Sequence, residues 1–169
     1  MNILNYKKSR YNSRMKYTLL ILILLLSACS TKNYEISEAK IIIIKSPKIK
    51  FADIGYVRSS DNSIELEMYM AGHIVQRIHI NHLICVDAGC MSKSGFNDDY
   101  LVSAYPSDLL QNILLGREIY DGKAKEIVEN GFEQKISTNE VDINYKVSEK
   151  EIYFKDKKNK IIFKIKDTK

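Results

Sequence analysis

Residues 64–84 (IELEMYMAGHIVQRIHINHLI) carry the pattern that decides the fold. From Ile64 to Met70, apolar and polar side chains alternate with a period of two, which is typical of a strand with one buried face. The following Ala71-Gly72-His73 predicts a tight turn into a second, longer strand. The two faces of that strand are expected to be apolar (Ile74, Ile78, Ile80 and Ile84) and polar (Arg77, His79 and Asn81). The stretch therefore predicts two strands joined by a turn.

Similar patterns predict strands on both sides of this stretch. Upstream, residues 41–44 form a short, wholly apolar strand and residues 49–57 form another. Downstream, Asn130-Gly131 is a hairpin-turn dipeptide. The strands predicted in the C-terminal third cover residues 126–129, 132–137, 141–147, 152–155 and 161–165. These patterns predict an N-terminal and a C-terminal β-meander.

A helical insertion at about residues 97–116 is expected between the two meanders. Asn97 can cap a first helix, which Pro106 would end at about residue 105. A second helix then carries an apolar stripe and stops at Gly116. The stripe consists of Leu109, Leu110, Ile113 and Leu114. The predicted fold class is mainly β (α+β): an antiparallel curved sheet or open half-barrel with a two-helix insertion.

The N-terminal region has the features of an export signal. In residues 16–30 (KYTLLILILLLSACS) a lysine precedes an apolar run, residues 19–26, and small residues follow. These are the parts of a secretory signal, and a membrane-spanning helix would need about 20 apolar residues. The ending Leu26-Ser27-Ala28-Cys29 resembles the lipobox of bacterial lipoproteins. That resemblance implies cleavage before Cys29 and acylation of its thiol.

These features divide the chain into three parts. Residues 1–28 are expected to be the lipoprotein signal peptide. Residues 1–14 are either an extension of its charged N-terminal region or lie upstream of the true translation start, which would then be Met15. Residues 29–40 are polar and predict a flexible tether. Residues 41–169 are expected to form a single β domain.

The charge balance gives no support for nucleic-acid binding. The chain has 26 basic and 21 acidic residues, but residues 1–28 contain five of the basic residues and none of the acidic ones. The remainder therefore has equal numbers of both. A nucleic-acid-binding domain is expected to show a basic stripe instead.

Cys85 and Cys90 are the cysteines that remain once Cys29 is assigned to lipid. In an exported protein such a pair is expected to form a disulfide. The alternative is a metal site with His82, but a structural zinc site needs a fourth ligand, and no matching pair occurs downstream. We therefore predict no metal and no cofactor.

The sequence does not predict an enzyme. The three histidines, His73, His79 and His82, lie in a turn or on opposite faces of one predicted strand. Neither a nucleophile elbow nor a glycine-rich phosphate loop is present. The combination of nucleophile, base and oxyanion donors that catalysis requires is not visible.

An apolar binding site is one interpretation of the remaining pattern. A Met-bearing strand face and the second helix could form a cavity and its lid, since methionine suits adaptable apolar surfaces. The candidate residues are Met68, Met70, Leu109, Leu110, Ile113 and Leu114. The alternative interpretation is that these side chains form the core.

The order of elements resembles the LolA/LolB lipoprotein-carrier family. The resemblance rests on the lipobox, on the Leu-rich segment 109–116 (LLQNILLG) ending in glycine, and on the closing strands from Gly131 to Ile165. Members of that family bind acyl chains of other lipoproteins in an open barrel with a helical lid. The short chain and the Cys85–Cys90 ring depart from the family pattern, and no individual binding residue is carried over.

We therefore expect a non-enzymatic envelope lipoprotein, held in the membrane by its N-terminal lipid, that binds an acyl chain or another apolar ligand. The alternative is a structural accessory that docks on an envelope complex through a sheet edge or the helical insertion. The expected partners are the membrane and other lipoproteins or envelope proteins. Ser30 resembles the residue that directs lipoproteins to the outer membrane, facing the periplasm. In a host with one membrane, the anchor would lie in the cytoplasmic membrane.

Overall fold

The computed structural model describes residues 34–168, which belong to a compact unit. The predicted signal peptide, the lipidation site Cys29 and the start of the tether lie outside the described residues. No helix within residues 34–168 combines the length and hydropathy needed to cross a membrane.

The described residues form one antiparallel sheet of eleven strands, in the order β6-β5-β4-β3-β2-β1-β11-β10-β9-β8-β7. The strands are β1 (Ile36–Lys45), β2 (Lys50–Ser60), β3 (Ser63–Met70), β4 (His73–Ile80), β5 (Ile84–Val86), β6 (Gly89–Met91), β7 (Lys125–Val128), β8 (Gly131–Ser137), β9 (Asp142–Ser148), β10 (Glu151–Asp156) and β11 (Ile161–Asp167). The sheet is curved and does not close, because β6 and β7 are its two edges. The predicted mainly β fold with two inserted helices is confirmed.

The two faces of the sheet differ in composition. One face, called the inner face here, carries the buried apolar side chains of alternate strand positions, such as Ile42, Leu66 and Ile78. Four aromatic rings cross this face on β8 to β11, with centroids 5.8 to 6.2 Å apart and edge-to-face geometry (Phe132, Tyr145, Phe154 and Phe163). Each such pair contributes about 0.5–1.5 kcal/mol beyond the area it buries. The opposite face is called the outer face.

The two helices lie between β6 and β7 in the chain. Helix α1 (Lys93–Tyr100) begins four residues before the predicted Asn97, and Ser92 is its cap, accepting a hydrogen bond from the Gly95 N–H at 3.0 Å. Asn97 is buried inside this helix, so its predicted role as the cap is wrong. It donates to the carbonyl oxygens of Tyr105 and Pro106 and thereby holds the bend after α1.

Helix α2 (Leu109–Leu114) ends as the sequence predicts, at a glycine. Gly116 has φ +61°, and the N–H groups of Gly116 and Arg117 donate to the carbonyl oxygens of Ile113 and Asn112. These two bonds form a Schellman motif, which suits glycine because a left-handed backbone carries no Cβ penalty there. A short 3-10 turn, Tyr120–Gly122, follows before β7.

Two boundaries differ from the sequence-based predictions. β1 begins at Ile36, so residues 36–40 are part of the sheet rather than of the tether, and Ile36 pairs with Ser59. The long strand predicted after the first turn is two strands, because residues 81–83 turn and β5 pairs back on β4. Strands pair through main-chain hydrogen bonds, which polar residues form as readily as apolar ones. The alternation of side chains therefore does not show where a strand begins or ends.

A glycine allows β2 to follow the curvature of the sheet. A Cβ on Gly55 would lie 2.5 Å from Ile42 Cδ1 and 2.6 Å from the carbonyl oxygen of Glu67. Only a residue without a Cβ permits this close approach between β1, β2 and β3. Beside it, the register of β3 and β4 shifts between Met68 and Tyr69, and such irregularities bend a strand pair.

Candidate functional site

The structure brings together most, but not all, of the predicted apolar site. Leu109, Leu110, Ile113 and Leu114 of α2 and Met68 of β3 are buried in the same core cluster. Met70 lies apart from them at the end of β3 and is 56% exposed. The α2 stripe therefore packs as core against the inner face, which is the alternative interpretation of its pattern.

Truncation of the α2 stripe should accordingly destabilise the protein. We expect Leu110→Ala and Ile113→Ala each to lower the free energy of unfolding by about 2–5 kcal/mol, because each leaves a cavity in a packed core. Urea denaturation measures this loss. Ile127→Ala, at an exposed position, serves as the control and should change stability by less than about 0.5 kcal/mol. A small loss for both α2 variants would instead indicate a lid over an existing cavity.

Three buried polar side chains of the C-terminal strands fasten the insertion to the sheet. The amide of Gln134 accepts from the Ile119 N–H at 2.8 Å and donates to the carbonyl oxygens of Ile119 and Lys123. The Tyr145 hydroxyl donates to the carbonyl oxygen of Arg117 at 2.8 Å. The third side chain is Asp156. These bonds satisfy backbone groups that the loop segments would otherwise bury unpaired.

Asp156 is a buried carboxylate with five hydrogen-bond donors. Its Oδ2 accepts from the Tyr105 hydroxyl and the Asn159 amide, both at 2.7 Å, and its Oδ1 accepts from the N–H groups of Asp142, Lys158 and Asn159. Burial alone would raise the pKa of Asp156, but these hydrogen bonds to the charged form lower it below its ordinary value. The carboxylate thus joins the insertion, through Tyr105, to the β10–β11 turn.

This cluster should make stability sensitive to acid. A carboxylate with a lowered folded-state pKa contributes stability above its unfolded pKa, near 4, and loses it as pH falls through the folded value. We expect Asp156→Asn to be less stable than the parent at neutral pH, and the difference to shrink below about pH 4. Urea midpoints measured from neutral pH to about pH 3 test this.

The matched control is Asp98→Asn, which removes an exposed carboxylate on α1. Its urea midpoint should decrease with falling pH in the same way as that of the parent. A constant stability difference between Asp156→Asn and the parent across the whole range would contradict the assignment.

The predicted disulfide is present in the structure and joins β5 to β6. Cys85 and Cys90 lie directly opposite each other, with an S–S distance of 2.01 Å. The histidines do not converge on it as a site: His79 is on β4, His82 lies in the turn before β5, and His73 opens β4. Residues 34–168 contain no group of three or more His, Cys, Asp or Glu side chains arranged to hold a metal ion.

The outer face carries an ion-pair cluster that the sequence reading missed. Glu67 of β3 is 4% exposed, and its two carboxylate oxygens accept hydrogen bonds from Arg58, Arg77 and Tyr69. Burial alone would raise the pKa of Glu67, but these donors lower it below its ordinary value. The sequence contained a pattern that could have indicated this cluster. Glu65 and Glu67 are on the polar side of a predicted strand, and the strands before and after it each carry an arginine. Since each acceptor oxygen is occupied, the cluster holds three strands together rather than forming a site.

A cleft opens at the end of the sheet where the chain enters β1. We call it the tether-end cleft. Its floor is apolar and formed by Val57, Leu114, Val147, Ile152 and Ile165. Its rim is charged and includes Glu38, Lys40 and Asp167, of which Lys40 binds both carboxylates at 2.6 Å. The cleft has a volume of about 270 Å³ and adjoins a second recess of about 410 Å³, with which it shares Ile36, Ser59 and Leu115. Of the predicted site residues, only Leu114 lines it.

Strand β7 forms an uncovered edge of the sheet. It pairs with β8 on one side, and among the described residues no strand pairs with its other side. All four of its residues are exposed, and Ile127 is 77% exposed. An edge lysine often protects such a strand, but Lys125 is bound to Glu118 at 2.7 Å and lies over the Phe132 ring. The edge therefore presents main-chain donors and acceptors beside an apolar side chain.

Comparisons with family models, with curated proteins and with solved structures found no match to this chain.

Proposed function

We propose that this chain is a lipid-anchored, non-enzymatic envelope protein that docks on a partner protein by strand addition at β7. The anchor is Cys29, and the domain faces the periplasm from the outer membrane. The observation that carries the docking role is the exposed β7 edge with Ile127 beside it. An extended segment added to such an edge gains main-chain hydrogen bonds, and a pocket or apolar contact for alternate side chains supplies specificity.

The packing of α2 favours this role over that of an open carrier. The buried stripe of α2 occupies the inner face that an apolar ligand would need. Natural proteins usually protect edges with charges, bulges or covering segments, because an open edge is a template for pairing. β7 is short, and it pairs with β8, which carries the buried Gln134. The Gln134 amide donates hydrogen bonds to the carbonyl oxygens of Ile119 and Lys123, in the segment just before β7. An uncovered edge of this kind, next to a hydrogen-bonded preceding segment, is suited to binding.

Site-specific crosslinking in the producing bacterium tests the docking role. A photoreactive side chain at Ile127 of the full chain should give one discrete adduct with another protein. The same group at Met70, also exposed but remote from β7, is the control and should give none. When the photoreactive side chain replaces Glu126 in a protein that also carries Ile127→Lys, most of the adduct should be lost. Equal adducts from residues 127 and 70, or none from either, would contradict docking at β7.

A second function is supported by the tether-end cleft, namely binding of one acyl chain. The apolar floor with a charged rim is the arrangement expected of a small apolar-ligand site, and such sites usually measure about 300–1,000 Å³. The unclosed sheet with helices on its inner face also agrees with the architecture implied by the resemblance to lipoprotein carriers. The neighbouring recess shares three lining residues with the cleft and would give a longer acyl chain additional space.

Native mass spectrometry of the domain purified from a bacterial periplasm tests this second function. We expect co-purifying lipid on the parent and its loss in Ile36→Asp, which places a charge in both recesses. Ile74→Asp changes an isoleucine of similar exposure outside them and should retain the lipid. Parent protein without any bound lipid would exclude the acyl-binding function while leaving docking at β7 intact.

A further inference from the structure

Exposed isoleucines cluster on the outer face in the middle of the sheet. Ile41 of β1 lies directly opposite Ile54 of β2, and Ile43 lies opposite Ala52. The three isoleucines are 40%, 47% and 36% exposed, respectively. We call these four side chains the outer isoleucine patch. It lies on neighbouring central strands, so its exposure does not result from fraying at an edge or from a loop.

Cationic side chains surround this patch. The outward positions of β1, β2 and β11 carry five of them and no carboxylate: Lys45, Lys50, Arg58, Lys164 and Lys166. On β11, Lys166 is opposite Ile41 and Lys164 is opposite Ile43. Glu151 of β10 lies 3.0 Å from Lys166 and 3.5 Å from Lys164 and neutralises them in part. Arg58 is paired with Glu65 and Glu67 of β3, so the four lysines carry the positive charge of the patch. Because residues 29–169 have balanced charge, this concentration is a local asymmetry.

One lysine pair of the outer face has no carboxylate partner in the part of the chain that the structure describes. Lys45 and Lys50 lie directly opposite each other on β1 and β2, and both are exposed. Neither forms an ion pair with any residue in the range 34–168. Like charges at opposed positions of two strands destabilise the pair. An external anion that binds between the two ammonium groups would relieve this repulsion.

The chain enters the described structure on the same face. Tyr34, just before β1, lies beside the outer-face carboxylate of Glu65, which adds to burial in raising the pKa of Tyr34 to about 12. If Cys29 is acylated, the five residue-to-residue steps from Cys29 to Tyr34 span at most about 18 Å. This step rests on the anchor of the proposed function. It places the outer face within reach of the lipid headgroups.

We propose that the outer isoleucine patch and its lysines bind the surface of an anionic membrane. The isoleucines enter the interface between headgroups, and the lysines contact the lipid phosphates. The same charges disfavour a second copy of this chain as the occupant, because two patches placed face to face would bring eight lysines together. Lipid phosphates supply the complementary charge over the whole area.

Vesicle binding by residues 30–169 tests the proposal without the anchor. This segment contains the whole core, which extends from Ile42 to Ile165. In a flotation assay it should bind equimolar phosphatidylcholine–phosphatidylglycerol vesicles, bind phosphatidylcholine alone weakly, and dissociate as salt is raised. Lys45→Gln with Lys50→Gln should lower the partition coefficient about 25-fold, since each lysine near an anionic surface is worth a factor of about five. Ile41→Ser with Ile43→Ser should lower it about tenfold or more.

Two control variants make the same changes in charge or hydropathy at positions outside the outer isoleucine patch. Lys93→Gln with Lys123→Gln removes two cations from the insertion. Met70→Ser with Val75→Ser removes two exposed apolar side chains from the ends of β3 and β4 that adjoin their turn. Both controls should bind as the parent does, and circular dichroism should show that all variants remain folded.

Three outcomes would overturn the proposal. The parent could fail to prefer anionic vesicles, or the patch variants could bind as well as the controls. Light scattering could also reveal a dimer of the parent that Ile41→Ser with Ile43→Ser dissociates, which would make the patch an interface between copies. Because the segment lacks Cys29, none of these outcomes depends on whether the anchor is present.

Discussion

The inner face of an unclosed sheet must be covered, and the helical insertion of this protein covers it. The sheet is unclosed between its edge strands β6 and β7, and the insertion between them in the chain packs into the core of the inner face. Its buried side chains include the α2 stripe together with Phe96, Tyr105 and Ile119. Leaving several such side chains in water would cost about 1.5–3 kcal/mol each. The packing of the insertion against the inner face is therefore the constraint on which the rest of the domain depends.

Hydrophobic contact alone does not determine where the insertion lies. Asp156, Tyr145 and Gln134 each bond a different residue of it, at Tyr105, Arg117 and Ile119. Buried polar groups are costly when unpaired, so only one placement of the insertion satisfies all three. This placement also sets the end of α2 against β9 and β10: a Cβ on Gly116 would lie 3.3 Å from Val147 and Ile152. The tether-end cleft is formed at this junction.

The three proposed surfaces lie on different parts of one sheet. The β7 edge is at one end of the strand order, the tether-end cleft lies on the inner face, and the outer isoleucine patch occupies the middle of the outer face. A domain held by its outer face on a membrane would leave the β7 edge accessible from the side. Membrane attachment and protein docking are therefore compatible in one molecule. The Glu67 cluster keeps β2, β3 and β4 together next to the patch, since its carboxylate binds arginines from both neighbouring strands.

The sequence by itself determined the antiparallel, mainly β fold, the two inserted helices, the glycine stop of α2 and the Cys85–Cys90 pair. Each of these follows from local information: a period of two, a period near 3.6, a left-handed residue, or two cysteines close in the chain. The sequence analysis predicted an apolar strand at residues 41–44 but did not predict that Ile41 and Ile43 lie on the outer face, where alternate residues of a sheet covered on one side are exposed. Only the tertiary structure decided that α2 is core, that Met70 lies apart from it, that Asn97 is buried within α1, and that residues 36–40 belong to the sheet. These outcomes depend on contacts between segments distant in sequence, such as Tyr105 with Asp156, and no local pattern encodes which partner a side chain will meet.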